Sequence, residues 1–268
     1  MEFSRVLASI TTAGDERLEV VVPPDWLQGR TVFGGMQMAI AVRGMRAVMP
    51  HDSAGLPLRS VQMTFVGPLG GGEPIHLQPV LLRRGRSTTH ARCELLQHDA
   101  VGCSAIGIFG VARTSQFVHE MPAPDPGKRP QDVAEATMPA SRAPRFIEHF
   151  EARWAVGAVP FSGYAEPHSM IYARLRDREC EAEDALLALA DVIPTPVLSM
   201  LTQPTPASSL SWMIEVLRDP AQLDLHDWCL IDTEVRAGTD GYLSQTSVLY
   251  GPDRHAYAVS HQTVGVFG

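Results

Sequence analysis

The sequence has no run of 18 apolar residues, so no transmembrane helix is expected. It has no positive excess either. The formal net charge is −8, which gives no electrostatic case for binding nucleic acid or an anionic membrane surface. Charged residues make up 19% and hydrophobic ones 45%, an ordinary globular profile that allows one large domain or two smaller ones. Cysteine is scarce: Cys93, Cys103, Cys180 and Cys229 are scattered without a CxxC and read as reduced, mostly buried thiols of a cytoplasmic protein. The opening stretch MEFSRVLASITTAGDERLEV lacks a basic start followed by a long apolar core, so no signal peptide is expected. The ten histidines show neither HExxH nor any other metal-ligand spacing, and no metal is expected. There is no G-x-S-x-G for a nucleophilic serine, no P-loop and no Rossmann fingerprint.

What is present alternates between strands and two apolar helical stretches. Residues 18–22 read as a short strand stopped by Pro23 and Pro24. Phe33, Gly34 and Gly35 then open a helix predicted over 35–48, with Met36, Ile40, Met45 and Val48 at helical spacing and Ala39, Ala41 and Gly44 keeping its surface small. Glycines at such an entry either let a ligand approach the free N–H groups of the first turn or simply make a tight turn. Four strands follow, at 60–66, 75–82, 87–96 and 101–111, with Arg83, Arg84 and Arg86 around one turn. Residues 119–145 are rich in proline, alanine and charge without an apolar period, and read as a linker or long crossover. Strands are then predicted at 146–154 and 169–175, a helix from Glu183 to about Leu201, and strands at 209–217, 228–236, 243–250 and 255–267.

The helix in the second half holds the chain's most informative residue. In DALLALADVIPTP, Asp191 interrupts an apolar run that Pro194 and Pro196 close. A carboxylate in such a run must be hydrogen-bonded, paired or protonated. The prolines mean that the helix either starts near Ala190 or kinks there. The two halves also share endings, GIFG at 107–110 and GVFG at 265–268, and the order strand, helix, antiparallel strands. An internal duplication of one α+β unit follows, with units 1–118 and 146–268 joined by 119–145, and the two sheets able to meet edge to edge.

Ordered segments carry a family resemblance. VFGGMQMA (32–39), MTFVGP (63–68) and LLRRGRS (81–87) in the first half, and ALAD (188–191), SSLSWMIEVLRDP (208–220) and AVSHQTVGV (258–266) in the second, resemble the motifs of the acyl-CoA thioesterase II family, the double hot-dog thioesterases. The resemblance implies a tandem hot-dog: two long helices, each wrapped by an antiparallel sheet. It implies hydrolysis of an acyl-CoA substrate by water, with no cofactor, no nucleic-acid partner and no membrane, and leaves open a homo-oligomer made as a dimer of double hot-dogs. Motif by motif, the family's Asp, hydroxyl and Gln fall on Asp191, Ser209 and Gln262, with Ser208 and Ser211 as rivals for the hydroxyl. Gly34 and Gly35 are candidates to polarise the thioester carbonyl. Alternation places Ser209 on one face with Ser211, Met213 and Glu215, and Gln262 on one face with Ala258, Ser260 and Val264. The arginines at 83, 84 and 86 would either meet CoA phosphates or form a solvated turn. Two other readings share the fold: a non-catalytic acyl-CoA or acyl-carrier binding module, and a hydratase or dehydratase, for which His261 would have to pair with an acid.

Overall fold

A computed structural model describes residues 1–12, 17–53, 55–135, 143–224 and 227–267. One twelve-stranded sheet organises them. Its strands are β1 (Thr11–Thr12), β2 (Leu18–Val21), β5 (Leu58–Phe65), β6 (Pro74–Arg84), β7 (Thr88–Gln97), β8 (Ala100–Gly110), β9 (Phe150–Val156), β10 (His168–Leu175), β11 (Ala207–Val216), β12 (Cys229–Thr239), β13 (Tyr242–Tyr250) and β14 (Ala256–Val266). The short pair β3 (Leu27–Gln28) and β4 (Thr31–Val32) stands apart. The helices are α1 (Phe3–Ala8), α2 (Gly34–Ala47), α3 (Ala182–Leu189) and α4 (Val197–Met200).

The strand order is β1-β2-β6-β7-β8-β5-β11-β14-β13-β12-β10-β9. Read outward from the middle, the first half runs β5, β8, β7, β6, β2, β1 and the second runs β11, β14, β13, β12, β10, β9. The two halves therefore repeat one connectivity, each with a helix inserted before its central strand. They join edge to edge through antiparallel pairing of β5 with β11, Met63 opposite Trp212 and Val61 opposite Ile214. This seam gives each central strand a partner where it would otherwise present an open edge.

Side-chain patterns explain which faces are buried. Along β7, Thr89, Ala91, Cys93, Leu95 and Gln97 point inward in strict alternation. Helix α2 is buried almost all round, as its small and apolar residues require. Gly44 shows why: a Cβ there would lie 2.8 Å from Cys93 Sγ and 3.0 Å from Leu77 Cδ2, so the helix lies too close to the sheet for a side chain. Charges tie α2 to α3. Arg43 binds Asp184 (Nη2 to Oδ2, 2.5 Å), and Arg46 binds Glu183 (Nε to Oε1, 2.7 Å). Burial lifts Asp184 to about 6 against the opposing pull of Arg43.

Two expectations need correction. The helix expected from Glu183 to about Leu201 is two pieces, α3 and the single turn α4, separated by residues 190–196, where Pro194 and Pro196 remove donors and crowd the preceding turn. The helix of the second half, α3, is thus 8 residues long against 14 in α2. Residues 146–149, expected as the start of a strand, belong to a 3₁₀ turn (Arg145–His149) that buries Phe146 against Phe33, ring centroids 4.2 Å apart. The described part of 119–145, read as a linker or long crossover, is bonded to the second half. Pro122 bridges to His255, Tyr172 Oη donates to Lys128 O at 2.8 Å, and Arg153 donates to Pro130 O at 2.7 Å. These bonds strap the crossover over a small outer cluster of Tyr172, Leu230, Tyr250 and Ala256. Residues 136–142 of that stretch, and Gly268 of the second repeat ending, lie outside the described residues.

Candidate active site

Asp191 follows the last turn of α3, with Ala190 as the capping residue between them. It belongs to the second half, yet its carboxylate is held by the first residues of α2 from the first half. The Gly35 N–H donates to it, and Oδ2 lies 2.5 Å from where a Cβ on Gly34 would stand. From the other side Gln262 Nε2 donates to Asp191 Oδ1 at 2.7 Å. The ring of Phe65 closes against Gly34, 3.3 Å from the same imagined Cβ.

Desolvation dominates the electrostatics. Protein surrounds the carboxyl head although the residue as a whole keeps some solvent exposure, and burial lifts Asp191 from 3.8 to about 7. The bonds from Gln262 and the Gly35 N–H oppose that rise without cancelling it. The positive end of α2 acts in the same direction as those bonds. The result is a carboxyl group that changes charge near neutral pH, as a general base requires.

Gln262 is itself held. It sits on β14 opposite Trp212 of β11 and Gln245 of β13, and all three side chains are buried on the inner face. Gln245 Nε2 donates to Gln262 Oε1 at 2.6 Å. The two amides thus form a chain with one polarity: because Asp191 accepts, Gln262 must present Nε2 to it and Oε1 to Gln245. Sequence reasoning missed Gln245. Its signal was a glutamine between Leu243 and Leu249 on an otherwise inward-facing register.

Ser209 lies on a different face from the one alternation gave it. β11 is irregular between Ser209 and Ser211, so Ser209 pairs with Val264 while Ser211 pairs with Thr263. Val264 shares the inner face with Gln262, and Thr263 points outward. The extra residue of a bulge shifts the side-chain period by one. Ser209 therefore turns to the Gln262 side of the sheet and Ser211 to the outer side. His261 is also on the outer face, opposite Met213, with Nε2 3.7 Å from Glu215 Oε2.

The arginines are elsewhere. Arg84 pairs with Thr89, whose neighbour across the ladder is Phe109, and the Arg46 guanidinium lies 4.8 Å over the Phe109 ring. Arg46 sits in the last turn of α2, whose 14 residues run about 20 Å from Gly34. Arg84 is engaged by Asp52. The structure gathers Asp191, Gln262, Gly34 and Gly35, brings Ser209 to the same face, and leaves Arg83, Arg84 and Arg86 at the other end of the helix. Among the described residues no group of three His, Cys, Asp or Glu could hold a metal ion, and no helix is long and apolar enough to cross a membrane.

Comparisons with known proteins agree with this architecture. The chain aligns over 99% of its length with a hot-dog-fold protein of unknown function from Alicyclobacillus acidocaldarius (TM-score 0.87, 21% identity, 98% of that chain). It is similar to a putative thioesterase II from Thermobifida fusca YX (TM-score 0.81, 18% identity, 99% of this chain and 97% of that one). It is also similar to the acyl-CoA thioesterase II TesB2 of Mycobacterium marinum (TM-score 0.77, 17% identity, 99% of this chain and 98% of that one). At these identities the likenesses show the hot-dog fold. No curated protein matches the sequence. Two family models do: an acyl-CoA thioesterase N-terminal domain over residues 22–110, and an acyl-CoA thioesterase C-terminal domain over 130–266. With those matches spanning most of its length, the chain belongs to the acyl-CoA thioesterase family.

Proposed function

We infer that this protein hydrolyses an acyl-CoA thioester by direct attack of water, with Asp191 as the base. The observation that carries the reading is the buried Asp191 carboxyl, poised near 7 between Gln262 and the first turn of α2. A water beside Asp191 attacks the thioester carbonyl carbon, and its proton passes to the carboxylate. The oxyanion that forms faces the helix end, where Gly35 already holds Asp191 and the Gly34 N–H has no helical partner. The C–S bond then breaks, and the departing thiolate takes the proton from Asp191, leaving free acid and CoA. Gln262 keeps a second N–H and a second lone pair for the water. Ser209 offers a hydroxyl to the same space.

The matching connectivity of the halves supports a tandem hot-dog, with units 1–118 and 146–268. The four cysteines are all free and buried, which suits a cytoplasmic enzyme.

Thiol-release assays on a panel of acyl-CoAs, short, long and aromatic, test the reading. Release of free CoA is expected. Binding of acyl-CoA without any release would replace it with a non-catalytic binding module. The same assay separates the serines. Ser209→Ala should slow release about tenfold by removing a donor from the inner face, while Ser211→Ala should change it less than about twofold. Equal effects would remove Ser209 from the site.

A further inference from the structure

The inner face of the second half changes character one row at a time. Val216, Ala258, Leu249, Ile231 and Ile171 lie side by side across five strands, and all are buried and apolar. Two residues along each strand, the next row reads Ile214, Ser260, Ser247, Thr233 and Ser169. Four hydroxyls thus stand on four adjacent strands, and all four residues are buried. The row after that is Trp212, Gln262, Gln245 and Val235, which carries the amide chain to Asp191.

Three of the four hydroxyls are bonded to protein. Trp212 Nε1 donates to Ser260 Oγ at 2.7 Å, and Thr233 Oγ1 donates to Ser247 Oγ at 2.9 Å. The fourth, Ser169 Oγ, has no partner although the residue is only 3% exposed. Gln245 Oε1 also has none, at 3% exposure, and nor does Thr195 Oγ1 on the segment after Asp191. Native proteins bond nearly all such atoms, to protein, water or ligand. Ser169 Oγ and Gln245 Oε1, on neighbouring rows of one face, are therefore places where a hydrogen-bonding group would be satisfied, the first by a donor or an acceptor and the second by a donor.

Geometry says which part of a substrate that is. Ser260 lies about 7 Å along the strand from Gln262, and four strands span about 14 Å. The row thus begins beside the reacting centre and leads away from it. It is buried and carries no charge, whereas the phosphates of CoA need cations or water. Of the parts of the substrate, the uncharged acyl group is the one that suits it. A plain hydrocarbon chain would bury these polar atoms unmet.

We propose that the acyl group this enzyme releases carries hydroxyl or keto oxygens along its chain, recognised by the Ser169–Thr233–Ser247–Ser260 row and Gln245. The proposal rests on the thioesterase reading above.

The test compares acyl-CoAs of equal chain length with and without a hydroxyl or keto group. Wild type should favour the oxygenated member by at least about tenfold in kcat/KM, because a site built to bond a hydroxyl rejects the analogue that lacks it. A Thr233→Val/Ser247→Ala double variant removes both partners of one hydrogen bond together, so it leaves no orphan and should keep its melting temperature. In it the preference should collapse towards one, with hydrolysis of the bare chain retained or raised. Wild type that hydrolyses bare chains as fast as oxygenated ones overturns the proposal, and the row then holds bound water only. So does a folded double variant that keeps the preference. Should the double variant fail to fold, the wild-type panel decides alone. Hydrolysis of no thioester at all would instead remove the thioesterase reading, a different result from loss of preference.

Discussion

Asp191→Asn should release thiol about a thousandfold more slowly than wild type, with KM within a few-fold, because the base is gone and the space it filled is not. The amide keeps the volume of the carboxylate. It can still accept from Gln262 Nε2 or from the Gly35 N–H, but its own NH₂ then faces the other donor, so one of the two bonds is lost. The fold should nevertheless hold, and pH shows why. The folded chain binds a proton at Asp191 up to about pH 7, whereas the unfolded chain releases it near 3.8. The stability this provides is fully present below about pH 4 and is lost as pH rises through about 7. At pH 8 wild type therefore bears the full penalty of a buried charge and the neutral variant does not. Thermal melting at pH 8 should find the variant no less stable than wild type. An inactive protein that melts no earlier would identify a carboxylate kept for chemistry at the expense of stability. An active variant would remove Asp191 from the mechanism.

Gly34→Ala should cost about a hundredfold in kcat, since displacing a catalytic group by about 1 Å is enough for that. Its Cβ would stand 2.5 Å from Asp191 Oδ2 and 3.3 Å from Phe65 Cζ, so the carboxylate must shift. Alanine gains up to about 1 kcal/mol in helix propensity over glycine, while the crowding costs about 1–3 kcal/mol, so a modest net loss of stability is expected. A double-mutant cycle isolates the cause. In an Asp191→Ala background the clash has no carboxylate to meet, and Gly34→Ala should then change the residual rate less than about twofold. A further hundredfold loss in that background would mean that Gly34 acts directly on the substrate.

The legible parts were those with a strong local signal. Helix α2 could be read because Met36, Ile40 and Met45 recur at helical spacing and no proline interrupts them until Pro50. The strands could be read from alternation, and the pairing of the halves from their repeated order. The apolar run at 186–193 was read as a core segment of a helix that starts or kinks near Ala190; most of it is buried, but the helix ends at Leu189, since hydrophobicity reports burial and the two prolines decide the backbone. Asp191 was singled out as a carboxylate inside an apolar run and Gln262 through the resemblance, and from pattern alone neither outweighed its bland role as a cap or a backbone-bonded amide. Ser209 was placed on the wrong face because a bulge is a tertiary accommodation that leaves no mark in an alternating pattern. The strap of residues 122–133 was illegible because its bonds to the second half run through backbone carbonyls, which every sequence has. The arginines were visible as a cluster, but only the direction of α2 shows that they sit at the far end from Asp191.

The most direct test of the central claim is the pH dependence of kcat/KM for wild type on its best acyl-CoA, from pH 5 to 9, beside Asp191→Asn. The free enzyme needs Asp191 ionised, so kcat/KM should rise with pH through an apparent pKa of about 7 and then level off, and the residual activity of the variant should lack that limb. A wild-type profile flat across neutrality, or the same rising limb in Asp191→Asn, would contradict the assignment of Asp191 as the base.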